Sequence, residues 1–350
     1  MLSPLRNLTL QSVPPSAAHL ALSVENFVTR DIKIPLDNKH LLIAFSGGVD
    51  SMALLVIFYL LRHRLHLTLS AAHLNHSMRE EAPRDQKFCQ KVCAKLSIPY
   101  FTTTVDIPQL CNNSGLEETA RTARYAYFAS LQESVPYDYI ITGHQLNDLA
   151  EDCCMRLIRG TGWPALGGMS AYVQSTKILR PLLLESKERL EDFLTSLHIP
   201  HVVDATNSEP FSLRNRIRAR IIPEFIAENP RFLERIAALW WQAQLDKTAF
   251  SELLAPLFQE PLPSNAVSIK NTSSPSSLIL SKAELIKFPS ALRIRAYKHA
   301  LDTLGTGQVL SETLFKLDRA WEEKRGKTSF QFSNGKLATL HNQSIIFEKK

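Results

Sequence analysis

Residues 41–61, LLIAFSGGVDSMALLVIFYLL, set six small or polar residues, Ser46 to Ser51, between two strongly apolar runs. The run 41–45 is short enough for a parallel strand buried on both faces, and 52–61 has the length of a buried helix. A strand, a tight loop and a helix are therefore expected. Gly47 and Gly48 let the backbone take a positive φ and let a ligand approach with no Cβ in the way. The loop N–H groups then converge at a helix N-terminus, which favours an anion such as phosphate. A plain turn in which Asp50 or Ser51 only caps the helix is the simpler alternative. Hydroxyls on both sides and the Asp50 carboxylate argue for more, because such groups can hold a pyrophosphate and its magnesium. The loop lacks the Gly-Lys-Ser/Thr ending of the common ATPase P-loop, which points to a different use of ATP.

With 350 residues the chain has room for two or three domains, and 45% hydrophobic with 21% charged residues is the balance of a soluble globular protein. The longest apolar run, 52–61, is about half of a membrane span. The N-terminus lacks the basic-then-apolar order of a secretory signal, so a cytoplasmic protein with no membrane partner is expected. The first acidic residue is Glu25, which leaves an organelle-targeting leader open. An excess of 40 Lys and Arg over 34 Asp and Glu gives a net charge of +6, compatible with a polyanionic partner. Five cysteines (Cys89, Cys93, Cys111, Cys153, Cys154) without any C-x-x-C point away from a disulfide framework and from standard zinc or iron–sulfur sites.

Between 41 and about 226, short apolar runs at 67–74, 99–105, 137–142 and 178–184 alternate with helical patterns at 80–96, 116–131, 147–158 and 187–197. This alternation predicts an α/β fold with an open, mostly parallel, Rossmann-like sheet and ligands at the carboxyl ends of its strands. Residues 16–30 read as an amphipathic leading helix, 261–277 as a Pro/Ser/Asn-rich linker, and 281–304 and 311–323 as helices. Asn334-Gly335 is a hairpin signal between β-rich runs. The expected division is an N-terminal extension 1–38 with its leading helix, a catalytic domain 39–226, and a C-terminal, mainly helical domain 227–350 ending in a β-hairpin.

The polar clusters fall just after expected strands or in the helices that follow. In AAHLNHSMR, His73 reads as a structural histidine, whereas His76 and Arg79 are candidates for the phosphate side. LEETARTARY puts Arg121 and Arg124 three apart on a helix, one turn after Glu117 and Glu118; ordinary salt bridging explains them unless the helix borders the cleft. In ITGHQLNDLAEDCCMRLIRGTG, His144 follows a strand and Gly143, and Asp148 and Glu151 align on one helical face, where carboxylates can hold an ammonium or magnesium. Glycines around Trp163 form a loop that can admit a base. In DATNSEPFSLRNRIRARIIP, Arg214 and Arg218 lie beside the apolar arc of Ile217, Ile221 and Ile222, while Arg216 and Arg220 point the opposite way. The first pair is thus aimed at the protein, and guanidinium recognises phosphate bidentately.

In their order and spacing SGGVDS at 46–51, HLNHSMR at 73–79, EETARTARY at 117–125, GHQLNDLAED at 143–152, RLIRGTG at 156–162, RPLL at 180–183, and DATN with RNRIR at 204–218 resemble the PP-loop ATP pyrophosphatases, and among them the tRNA(Ile)-lysidine synthases. The match covers residues 41–223, and the C-terminal third resembles the appended tRNA-binding domain less specifically. One departure stands out: Glu151-Asp152 replaces the usual Glu-Thr. The resemblance implies an adenine nucleotide alpha hydrolase-like sheet and a two-step ligation. ATP adenylates the C2 oxygen of the cytidine at the first anticodon position of a tRNA(Ile) with a CAU anticodon. The amine of free lysine then displaces AMP, giving lysidine and changing decoding from AUG to AUA. On this resemblance ATP binds Ser46, Gly47, Gly48, Val49, Asp50, Ser51 and His76, with Mg²⁺ at Asp50. Asp50, Arg124, His144 and Asp148 carry the chemistry, Asp148 also taking the lysine ammonium, and Arg121, Arg214 and Arg218 contact tRNA. A homodimer is compatible with it. Two other readings stay open. A PP-loop tRNA thiolase would share the adenylation step but needs a sulfur carrier, for which Cys111 and Cys154 are the thiols near site segments. An amidotransferase-type synthetase would act on a small molecule and would have no use for basic C-terminal additions.

Overall fold

In the computed structural model, which describes residues 5, 8–76, 82–111, 115–202, 212–259, 277–305, 307 and 309–350, the apolar runs of the first half form a six-stranded sheet. Its strands are β1 His40–Ala44, β2 Thr68–Asn75, β3 Tyr100–Thr104, β4 Tyr139–Ile141, β5 Tyr172–Val173 and β6 Ile178–Leu179, in the spatial order β3-β2-β1-β4-β6-β5. All neighbours are parallel except β5 with β6. Leu41 stands opposite Leu69 on one side and Tyr139 on the other, and Leu41, Leu42 and Ile43 are fully buried, as a central parallel strand covered on both faces requires. The helices of this half are α1 Pro15–Asn26, α2 Val49–Leu61, α3 Ala82–Leu96, α4 Ile107–Leu110, α5 Leu116–Ser130, α6 Leu146–Ile158, α7 Lys187–Ser196, α8 Leu213–Arg216 and α9 Ile222–Glu228. A π-helical turn, Ile217–Ile221, joins the last two.

Helix α2 is apolar all round, and Met52 to Phe58 have no exposed surface. Helices α1 and α7 both pack on it, which is why a helix without a polar face is stable here. The leading helix thus packs directly on a helix of the sheet layer. By contacts the chain divides into Met1–Asp152 with Gly168–Ala237, and Cys153–Gly167 with Ala238–Lys350. One boundary of this division falls inside a continuous helix, α10 Phe232–Gln259. The expected strand 178–184 is also cut short. After Ile178–Leu179 the chain turns at Pro181, which has no N–H to offer a sheet, and Leu182 and Leu183 are buried from the turn instead.

The second unit holds α11 Lys282–Leu285, α12 Ser290–Thr303, α13 Ser311–Glu322 and an antiparallel sheet in the order β7-β10-β9-β8, with β7 Ser277–Ser281, β8 Thr328–Gln331, β9 Lys336–Leu340 and β10 Ser344–Lys349. The expected hairpin is present between β8 and β9, where Asn334 (φ 58) and Gly335 (φ +71) take the left-handed conformations its turn demands. It is half of a larger sheet. Strand β7, SLILS, was too short to show a period and lies where a linker end and a helix start are expected, and 261–276 of that linker lie outside the described residues. Leu285, Tyr297, Leu301, Leu317, Leu340, Ile345 and Phe347 form the core of this unit. A buried ion pair crosses it: Arg293 Nε and Nη2 donate to the Asp318 carboxylate at 2.8 and 2.9 Å, and the Tyr297 hydroxyl donates to the same group at 3.0 Å. Arg293→Ala strands a buried carboxylate and should cost about 3–5 kcal/mol in urea unfolding of the full chain. Lys298→Ala, which breaks an exposed pair with Asp302, should leave the unfolding midpoint nearly unchanged.

Candidate active site

The loop after β1 takes the shape its glycines allow. Gly47 has φ +85, and a Cβ there would lie 2.9 Å from Cys89 Sγ and 3.1 Å from Val202 Cγ2. The loop is stitched to the segment before residue 203, since Val202 N–H donates to Gly47 O at 2.8 Å. The serines fold it inward: Ser51 Oγ donates to Gly48 O at 3.1 Å, accepts from Ser46 N–H at 3.2 Å and lies 3.1 Å from Ser46 Oγ. Gly48 precedes Val49, the first residue of α2, so the positive end of a rigidly packed helix opens where the loop ends. Asp50 sits in that first turn. Its Oδ1 is buried with no hydrogen-bond partner among the described residues, and burial pushes the carboxyl up to about 7, with Asp148 adding to the rise and Lys187 and Arg218 opposing it.

The loop after β4 comes against this helix start. A Cβ on Gly143 would lie 3.1–3.2 Å from backbone and Cβ atoms of Asp50, so any larger residue would crowd the approach. The next residue, His144, has Nδ1 2.8 Å from Thr142 Oγ1. Burial and then the guanidiniums of Arg180, Arg214, Arg121 and Arg124 hold its pKa well below the usual value, so the ring is neutral. Arg124 is in turn fixed by His76 at the end of β2: Arg124 Nη2 donates to His76 Nε2 at 3.2 Å, which requires that imidazole nitrogen to be unprotonated. Arg121 is exposed, with its guanidinium over the Tyr125 ring at 5.2 Å.

The acidic face expected on α6 exists, and its partners are the inward arginines. Asp148 Oδ2 accepts from the Gln145 N–H at 3.0 Å, while Oδ1 accepts from Arg214 Nη2 at 2.7 Å and Arg218 Nη2 at 3.4 Å. Glu151, 1% exposed, accepts from Arg214 Nε at 2.6 Å and Arg218 Nε at 2.5 Å. Arg216 and Arg220 are exposed, as the helical wheel required. Arg214 and Arg218 thus grip two carboxylates rather than standing open to phosphate. Glu151 is as much a part of this cluster as Asp148, and its three-residue spacing from Asp148 was the available signal. Burial raises the Asp148 carboxyl against the pull of Arg214.

His73 is a satisfied core residue, its Nδ1 2.9 Å from Phe45 O. Arg79 and the DATN segment, 204–207, lie outside the described residues. Burial pushes the Cys93 thiol up to about 12 and that of Cys89 higher still, which removes thiolate character from both. No group of three His, Cys, Asp or Glu side chains able to hold a metal occurs among the described residues.

Residues 17–225 match the PP-loop domain family. The chain is 41% identical over 319 residues to a tRNA(Ile)-lysidine synthase of Nitratidesulfovibrio vulgaris, covering 89% of this chain and 92% of that one. It is 28% identical over 325 residues to the tRNA(Ile)-lysidine synthase of Clostridioides difficile, 89% of this chain and 67% of the other. The match to that of Thermotoga maritima, 38% over 196 residues, spans 55% of this chain and 47% of the relative. Among solved structures a U34-tRNA thiolase from Methanococcus maripaludis shares the fold, with a TM-score of 0.53 at 16% identity over 65% of this chain and 78% of that one. The motifs around the β1 and β4 loops, the matched PP-loop domain and near full-length identity in the first of these relatives agree: the chain belongs to the tRNA(Ile)-lysidine synthase family of PP-loop proteins.

Proposed function

We propose that the chain ligates free lysine to C2 of the cytidine at the first anticodon position of a tRNA(Ile) with a CAU anticodon, consuming ATP and releasing pyrophosphate and AMP. One observation carries the reading. Asp50 Oδ1 is buried and unpaired at the start of α2, against the Gly143-His144 loop, where a cation held jointly with phosphates would complete it. Mg²⁺ bound there would neutralise charge on the departing pyrophosphate. The loop N–H groups after Ser46 and the positive end of α2 cradle the same group.

In the first step the C2 oxygen of cytidine attacks the α-phosphorus. That oxygen carries no proton, so the step needs stabilisation of phosphoryl charge rather than a base. Arg124, fixed by His76, and the neutral His144 take that role. In the second step the lysine amine attacks C2 and AMP leaves, and the ammonium must first lose a proton. The two carboxylates and two guanidiniums of Asp148, Glu151, Arg214 and Arg218 suit a zwitterionic amino acid, the carboxylates holding an ammonium and the arginines the α-carboxylate. Exposed Arg121, Arg216 and Arg220 and the C-terminal residues 227–350 serve tRNA. No helix among the described residues is long and apolar enough to cross a membrane, and the tRNA substrate fits a cytoplasmic enzyme. The deciding assay is product release from ATP with and without tRNA(Ile) and lysine. Pyrophosphate release should need the tRNA, AMP release should need lysine, and the product nucleoside should gain lysine; a thiolated nucleoside would replace this reading with sulfur transfer.

Asp148→Asn should raise the KM for lysine on the order of tenfold to a hundredfold, because an amide offers the ammonium no full charge, while tRNA-dependent pyrophosphate release changes little. Equal losses in both would reassign Asp148 to the fold. A second expectation concerns pH. With its carboxyl at about 7, Asp50 is protonated in the ligand-free protein below that pH, and binding a cation expels the proton. Mg²⁺·ATP affinity should therefore fall by about tenfold per unit below pH 7. Asp50→Asn, titrated in parallel to subtract the ionisation of ATP, should lose that slope. The same raised carboxyl means that the folded state holds the extra proton, so ligand-free stability should fall as pH rises from 3.8 to about 7.

A further inference from the structure

Besides Asp50 Oδ1, a second buried polar atom at the carboxyl edge of the sheet lacks a partner among the described residues: Nε of Arg180. Arg180 follows β6 directly and is 4% exposed. Its backbone is pinned, since its N–H donates to Ala171 O at 2.8 Å and the neighbouring Leu179 O accepts from Thr142 N–H at 3.0 Å. The head is held too. Nη1 donates to Ser170 O at 2.7 Å, and Tyr125 on α5 is a further side-chain partner. A guanidinium tethered at its tip and at its backbone keeps Nε in one place. That place is beside His144, on whose ionisation Arg180 acts more strongly than any other charge, and within reach of the charges of Arg121 and Asp152.

An orphaned donor in a buried guanidinium is costly unless a ligand completes it. The charge around His144 specifies the ligand's sign: the guanidiniums of Arg180, Arg214, Arg121 and Arg124 all disfavour its protonation, and Arg214 is matched by Glu151 and Asp148. We infer that Arg180 is a substrate-binding residue whose Nε–H donates to a phosphoryl oxygen, either of the nucleotide or of the RNA backbone, next to His144. This rests on the phosphoryl-transfer reading of the site. It adds a residue that supplies a fixed hydrogen bond in addition to charge, which a lysine could not replace.

Arg180→Lys keeps the positive charge but has no donor at Nε, and Arg180→Met removes both. Tyr125→Phe removes a tether and leaves Nε intact. Three measurements separate the outcomes: ATP affinity without tRNA, tRNA affinity without ATP across a salt series, and the melting temperature of each variant. Arg180→Lys should melt close to the wild type and lose on the order of tenfold to a hundredfold in one of the two affinities. Loss confined to ATP assigns the nucleotide phosphate, and loss confined to tRNA assigns the RNA phosphodiester. Wild-type affinity for both in Arg180→Lys overturns the inference, as does a Tyr125→Phe protein with the same losses, because the role would then be structural. A wild type that releases no pyrophosphate would instead overturn the phosphoryl-transfer reading itself, while leaving the two affinity measurements to decide on Arg180.

Discussion

Between β1 and β4 the strand order reverses, and the loops leaving the two strands turn to opposite faces of the sheet, opening a crevice at their carboxyl ends. The loops nevertheless touch at one point, where Gly143 lies against Asp50. That contact joins the phosphate loop to the His144 loop, and the absence of a side chain at 143 keeps it uncrowded. The rigidity behind it comes from α2, which is buried from Ser51 to Phe58, directly after the turn that carries Asp50. Residues from four strand ends then converge: Ser46 to Ser51 after β1, His76 after β2, Thr142 and His144 after β4, and Arg180 after β6.

Charge within this crevice is divided into regions by burial. Asp148 and Glu151 are matched by Arg214 and Arg218 in a tight array that is nearly dry at Glu151. Nearby, Asp50 on one side and Arg180 on the other each keep a buried atom without a hydrogen-bond partner among the described residues. A native interior satisfies most such atoms, and these two have opposite sign. On the proposed reading they are where the cation and the phosphates of a metal-nucleotide complex would sit. His144 lies among the guanidiniums and stays neutral, available as a hydrogen-bonding group without adding to the positive charge.

Among the described residues of the second unit no buried carboxylate is orphaned, although Arg295 Nε and Trp321 Nε1 lack hydrogen-bond partners. Asp318 is satisfied by Arg293 and Tyr297, and the Lys336 ammonium is held by the carbonyls of Leu301, Gly305 and Gly307 at 3.0–3.3 Å. These contacts fix how α12 and α13 meet each other and the sheet, a geometrical role in a core otherwise made of aliphatic and aromatic side chains.

Local periodicity carried much of this molecule into view. The parallel sheet, the loop at 46–51, the Asn334-Gly335 turn and the inward orientation of Arg214 and Arg218 were legible because each depends on neighbours in sequence, through a period of two or 3.6 or a dihedral that glycine and asparagine tolerate. Strand β7 was not legible, since five residues show no period and its partner β10 lies more than sixty positions later. Which groups meet was likewise decided by the fold. The sequence placed Arg214 and Arg218 on an inner face without saying that Asp148 and Glu151 would occupy it, and it offered RPLL as a motif without showing that Arg180 would be buried beside His144. Residue types and their spacing determine local conformation; desolvation and ion pairing depend on segments brought together across the sheet, so the charge state of Asp50 and the partners of the arginines exist only in the folded chain.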